Sequence, residues 1–224
     1  KGAHLFVTLE PCAHEGKTPS CAKHLATLPL ASVTFGLIDP NPLVAGKGME
    51  IVRNAGIKIT KFEGLEEELE ELAEVFLVNM RSSRPFVALK VATSLDGQIS
   101  RTDIPGQQWL TGMDSLNRVH ELRAHYDSVL VGANTIDIDD PHLNIRHADY
   151  TGKRIAAVVL DPPGRLFPVL RDKRLYKTHA PEEIIYVTKG DMKPADGLKV
   201  VSLEQDENGY FVLNQLLDQL YKLG

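Results

Sequence analysis

A chain of 224 residues, 43% hydrophobic and 25% charged, has the make-up of a soluble globular protein with room for one large domain or two small ones. Its net charge of -5 argues against broad nucleic-acid binding but leaves room for a local basic pocket that takes a small phosphorylated ligand. No apolar run approaches the roughly 18 to 20 residues that span a bilayer, no secretory pattern opens the sequence, and two cysteines point to a reduced, cytoplasmic setting.

In chain order, residues 5–9, 32–38 and 57–60 read as short buried strands, with helical patterns at 21–28 and 46–54 between them. That alternation predicts an α/β layer with crossover helices. Residues 65–81 read as one helix, with Leu65, Leu69, Leu72, Phe76 and Met80 on one face. Its acidic residues solvate the outer side. Pro85 disfavours helix in the residue before it, so a domain boundary is expected between residues 1–83 and 84–224. The second part then predicts a strand at 86–91, a turn at 94–97 and a helix at 113–125. Strands follow at 128–131, 155–160, 184–187 and 199–201, interspersed evenly enough for a mainly parallel sheet. Both ends read as cut, since Lys1 is not Met, a strand begins at once, and residues 220–224 resemble the end of a helix. The expectation is a piece of a longer protein.

The strongest chemical signal lies where the first strand meets the first helix. Cys12 follows Glu10-Pro11 at the strand end, and Cys21 opens the next helix, so their thiolates can converge on one zinc ion. Catalytic zinc takes three protein ligands and leaves a fourth position for water. Two small buried cysteines in a structural loop are the plainer alternative. His14, two residues from Cys12, is too close in sequence for easy joint coordination and suits a loop-stabilising or substrate-facing role.

The segment from Thr8 to Cys21, with Gly16-Lys17-Thr18-Pro19 inside its loop, resembles the second zinc motif of the cytidine-deaminase superfamily. Its long loop is the form found in the bifunctional riboflavin-biosynthesis deaminase/reductase family, and Asp39-Pro40-Asn41-Pro42 continues the likeness. The resemblance implies Cys12 and Cys21 as zinc ligands, with Lys17 and Asn41 contacting the substrate. The family's His-x-Glu motif, carrying the third ligand and the proton-shuttling Glu, is expected upstream of residue 1, so no catalytic residue is assigned within the chain.

Residues 88–97, 108–111, 122–124, 131–135 and 139–146 match, in order, the reductase half of the same family, which has a dihydrofolate-reductase-like fold. The implied fold is α/β: the C-terminal part of a cytidine-deaminase-like three-layer domain, then the N-terminal part of the reductase domain. The likeness implies Thr93, Trp109, Thr135 and Asp139 near NADPH, and Lys90, Arg123, Leu143 and Arg146 on a phosphoribosylated aminopyrimidine. Lys90 on a core-facing strand is costly to bury without an acceptor, which suits a ligand site or a satisfied structural lysine. Two arginines suit phosphate recognition, although Arg123 also reads as a solvated helix residue. Gly132-Ala133-Asn134-Thr135 follows a strand and begins a helix, so its amides can face a phosphate or nicotinamide, but without the G-x-G-x-x-G fingerprint it does not support an ordinary Rossmann site.

The family's activities are deamination first and NADPH-dependent reduction second. Its later Glu-Gly-Gly segment is not found up to Gly224, so the bare chain is expected to be weak or inactive. No nucleic acid or membrane partner is expected, and a homo-oligomer is consistent with the family. A stand-alone deaminase with an unrelated extension, or a degenerate homologue with a structural or regulatory role, are the competing readings. NADPH binding by the second half discriminates the first of these.

Overall fold

The computed structural model describes all residues except 1, 17, 43, 101–109, 147–149, 153 and 195. The chain forms two compact units, Lys1–Val87 with Leu220–Gly224, and Ala88–Gln219.

In the first unit, strands β1 (Ala3–Leu9), β2 (Leu30–Leu37) and β3 (Lys58–Lys61) make a parallel sheet in that order. Parallel neighbours need a crossover, here supplied by helices α1 (Cys21–Leu25) and α2 (Lys47–Asn54). Val33 and Phe35 alternate onto one face of β2 and pack with Ala22, Val52, Ile57 and Ile59. Gly36 faces the other way and lies against Leu69, where an added Cβ would overlap the leucine and crowd the Thr8 carbonyl oxygen.

The single helix expected over 65–81 is two helices, α3 (Glu66–Leu72) and α4 (Glu74–Ser82), broken at Ala73. Glu66/Glu70 and Glu67/Glu71 already stack like charges at i,i+4 spacing within α3, and a continuous helix would add Glu70/Glu74 across Ala73, which disfavours it. Arg81 reaches back across the break to Glu70, with Nη2 to Oε1 at 2.7 Å.

The second unit is built on four parallel strands in chain order, β4 (Ser128–Gly132), β5 (Ala156–Leu160), β6 (Ile184–Thr188) and β7 (Lys199–Ser202). The mainly parallel sheet read from the sequence is present. The two inner strands carry apolar runs because a parallel sheet is covered on both faces. Helix α5 (Met113–Arg123) precedes β4, α6 (Ala133–Asp139) follows it directly, α7 (Arg174–Thr178) precedes β6, and α8 (Leu213–Leu223) follows β7. Ile136, Leu143, Val159, Leu170, Leu175 and Tyr186 lie in the core of this unit. Among the described residues, no helix is long and apolar enough to cross a membrane.

The strand expected at 86–91 is not formed. Its alternation is strand-like, but a strand exists only when a neighbour accepts its hydrogen bonds, and this segment pairs with none of the strands described. Val87, Leu89 and Val91 are exposed, as are Leu95 and Ile99 beyond the turn at 94–97. That turn is present, with Gly97 N–H donating to the Ser94 carbonyl at 3.0 Å. Lys90 is likewise exposed, so the burial from which its ligand role was argued is missing.

Candidate functional site

Two places gather chemistry-bearing residues, one in each unit. In the first, β1 and β2 end side by side: Leu9 pairs with Leu37, and Glu10 N–H donates to the Leu37 carbonyl at 2.8 Å. The loops carrying Cys12 and Asn41 therefore leave from the same C-terminal sheet edge, where open α/β sheets bind ligands. Cys21 N–H donates to Cys12 Sγ at 3.3 Å, while Ser20 Oγ and Ala22 N–H hold the Cys12 carbonyl at 2.8 and 3.0 Å. The two thiols are thus brought together.

The Cys21 thiol is pushed up from its usual range, first by its hydrogen bond with Cys12, then by burial and by the charge of Cys12. A helix start ordinarily favours the thiolate, and here the opposite direction holds. Helix α1 spans only 5 residues, too few for a strong dipole, and the neighbouring sulfur dominates. Among the described residues, no group of three His, Cys, Asp or Glu side chains is placed to hold a metal ion. Two thiols fall short of the three ligands catalytic zinc takes. The described residues alone do not fit a complete zinc site. Lys17 lies outside the described residues. Asn41 is half-buried, its N–H donating to Asp39 Oδ1 at 2.8 Å.

Sequence reasoning missed Glu10. Its carboxylate is buried and accepts from Gly46 N–H at 3.0 Å and Met49 N–H at 3.3 Å, tying the start of α2 to the strand end that carries Cys12. Gly48 completes the junction, because a Cβ there would overlap the Pro11 carbonyl oxygen. The available signal was an acidic residue at the end of an apolar strand, followed at once by Pro-Cys.

In the second unit the loop at 140–146 does the gathering. Arg123, near the end of α5, donates from Nη1 to the Asn144 carbonyl at 3.0 Å, and Arg146 donates from Nη1 to Asn144 Oδ1 at 3.1 Å. Arg146 N–H also donates to His120 Nδ1 at 3.2 Å. Burial, then the charge of Arg146, lowers the Arg123 guanidinium below its ordinary value. Burial, then Arg146 and Arg174, lowers His142. Arg123 and Arg146, gathered on Asn144, bring positive charge to this loop, as an anion site requires.

The loop is pinned on several sides. Asp140 Oδ1 accepts from Arg174 N–H at 2.8 Å, and Thr178 Oγ1 donates to the His142 carbonyl at 3.0 Å. Leu143 is 3% exposed and packs in the core at φ 55°, so it anchors the loop rather than facing a ligand.

Helix α6 starts at the end of β4 and carries Thr135 and Asp139. Gly132, at that junction, has nothing within 4 Å of where a Cβ would be, so the backbone is open to an approaching ligand. Arg165 fixes the helix, with Nη1 to Asp137 Oδ2 at 2.5 Å and Nη2 to Asn134 Oδ1 at 2.7 Å; Lys173 Nζ adds a contact to Asp137 Oδ1 at 3.2 Å. Thr93 is exposed in a segment outside the sheet, and Trp109 lies outside the described residues.

Residues 85–224 match the family described as the RibD C-terminal domain. The chain belongs to this family. The riboflavin biosynthesis protein RibD of Aquifex aeolicus is 39% identical over 223 residues, covering 100% of this chain and 61% of the relative. The RibD of Bacillus amyloliquefaciens is 38% identical, covering 92% of this chain and 56% of the relative. Among solved structures, Acinetobacter baumannii RibD (form 1) is similar with a TM-score of 0.78 at 34% identity, covering 96% of this chain and 58% of that one. A Thermotoga maritima diaminohydroxyphosphoribosylaminopyrimidine deaminase/5-amino-6-(5-phosphoribosylamino)uracil reductase gives a TM-score of 0.77 at 34% identity and the same coverage. The chain thus spans about three-fifths of the length of these relatives. The match to the Aquifex RibD also takes in the residues before 85.

Proposed function

We propose that the chain carries the reductase chemistry of a RibD, the NADPH-dependent conversion of a phosphoribosylaminopyrimidine to its ribityl form, in a cytoplasmic riboflavin-biosynthesis enzyme. The observation that carries this reading is the loop at 140–146, which brings Arg123 and Arg146 onto one residue at the end of a parallel-sheet unit. Two planar donor forks side by side suit a phosphate monoester. Lys90 is a further contact of this substrate on the family likeness alone; Lys17 and half-buried Asn41 belong, by the same likeness, to the substrate of the deaminase part.

The open backbone at Gly132 and the fixed helix beyond it fit a nicotinamide nucleotide, and Thr93, Trp109, Thr135 and Asp139 are assigned to it by the family likeness. NADPH, when bound, supplies a hydride to C1 of the ribose in its open, imine-like form. The chain's own part is placement: the arginines would hold the phosphate end of the substrate and the β4–α6 junction the nucleotide.

Residues 1–83 are proposed as part of a cytidine-deaminase-like domain and 84–224 as part of the reductase domain, with deamination preceding reduction in the longer protein. Cys12 and Cys21 would hold zinc only together with a third donor from outside the described residues, so no deamination step is assigned to them.

Titration of the chain with NADPH, followed by nucleotide fluorescence, tests the reading. Saturable binding weakened severalfold by Thr135→Ala or Asp139→Ala is expected, with Arg123→Ala leaving it unchanged and instead raising KM for the phosphorylated substrate. NADPH affinity that is absent, or indifferent to both α6 substitutions, rejects the assignment.

A further inference from the structure

Like charges avoid one another unless something holds them, and Arg123 and Arg146 are held by a single neutral residue. Asn144 accepts Arg123 Nη1 on its backbone oxygen at 3.0 Å and Arg146 Nη1 on its side-chain oxygen at 3.1 Å. Among the described residues, no carboxylate pairs with either guanidinium. Their mutual repulsion is therefore offset by dipoles alone, which leaves the full double charge for a ligand. The loop has no freedom to relax this arrangement. Leu143 is anchored in the core at a left-handed φ of 55°, Thr178 holds the His142 carbonyl, and His120 Nδ1 takes the Arg146 amide.

We propose that Asn144 is the positioning residue of the phosphate subsite: an uncharged bridge that spaces the two guanidiniums for a phosphate monoester without cancelling their charge. This rests on the phosphate reading of the arginine pair. An aspartate at the same place would accept the same Arg146 hydrogen bond, and more strongly, but would take up the charge meant for the ligand. Structural need and ligand need thus favour different residues at this position.

The test is calorimetric titration of the intact chain with ribose 5-phosphate, set beside thermal unfolding of each variant. Asn144→Asp should fold with an unchanged or higher Tm yet bind the probe about 10-fold or more weakly, the size of one added charge at roughly 6 Å in a medium of intermediate dielectric. Asn144→Ala keeps the backbone contact to Arg123 but frees Arg146, so a loss of about 3-fold is expected, smaller than that of the aspartate. Raising the salt concentration should narrow the gap between the two variants. Equal affinity of Asn144→Asp and the parent chain overturns the inference, as does an order in which alanine binds more weakly than aspartate. A parent chain that does not bind ribose 5-phosphate overturns the phosphate reading itself, and the role of Asn144 with it.

Discussion

Leu143 separates two roles that a sequence match cannot tell apart, a side chain that meets substrate and one that anchors the residues that do. Leu143→Ala removes carbon groups worth about 0.8 kcal/mol each and leaves a cavity in a close-packed region, so a loss of about 3 kcal/mol is expected. The native φ of 55° adds a second, sharper expectation. An alanine there keeps the left-handed strain of about 1 kcal/mol, whereas glycine escapes it while losing a similar amount through the freedom of its unfolded chain. Leu143→Gly should therefore be no less stable than Leu143→Ala, although glycine is ordinarily the worse residue. Urea unfolding followed by far-UV circular dichroism gives both values, and ribose 5-phosphate titration of the folded variants shows whether the loop still holds its arginines. A Leu143→Ala chain within about 1 kcal/mol of the parent, with ligand affinity alone reduced, would refute the anchor role.

Other expectations follow from buried polar groups and from one tight junction. Tyr186 donates to buried Asp161, and burial first, then that hydrogen bond, raises its hydroxyl far above its usual range. Because the unfolded chain releases this proton first, stability should fall as pH rises above about 10, and Tyr186→Phe should flatten that fall while costing about 2 kcal/mol at neutral pH, both read from urea midpoints. His179 is buried with Nε2 unpartnered, and burial lowers its pKa, as it does that of His142. The unfolded state then binds more protons, so stability should decline as pH falls below about 6.5, and less steeply in His179→Gln; a flat profile from pH 7 to 5 contradicts this. Gly48→Ala should destabilise the first unit by at least about 2 kcal/mol, since its Cβ meets the backbone at Pro11 rather than a movable side chain; amide exchange of β1 and α2 reports it, and parent-like protection argues against the junction.

The parallel sheets were legible because their evidence is local. β5 and β6 are short apolar runs between helical or turn-rich stretches, and Val33 and Phe35 alternate onto one face of β2. The segment at 86–91 misled because alternation reports what a strand would bury, while its existence depends on a partner elsewhere in the chain. The break at Ala73 was hidden by a sound apolar periodicity that gave no weight to stacked glutamates. At the site, Arg123 and Arg146 could be named but not joined, because 22 intervening positions are closed by a loop whose anchor, Leu143, reads as an ordinary apolar residue. Asn144 carries no signal of its own and Glu10 only its place before Pro-Cys, since what matters is that each accepts hydrogen bonds from two places at once.

The bare stretch from Val87 to Ile99 has a consequence for handling the protein. A protease needs several residues of extended, accessible backbone, and this stretch offers Lys90 with exposed neighbours on either side and no strand to unpick first. Brief trypsin treatment should nick the chain after Lys90 before touching either sheet. Because β1 to β3 lie wholly before that bond and β4 to β7 wholly after it, each piece would keep its complete set of paired strands. The same exposed apolar side chains that flank the cut form a patch of the kind that drives association, and comparing nicked and intact chains by light scattering would show whether they cause any.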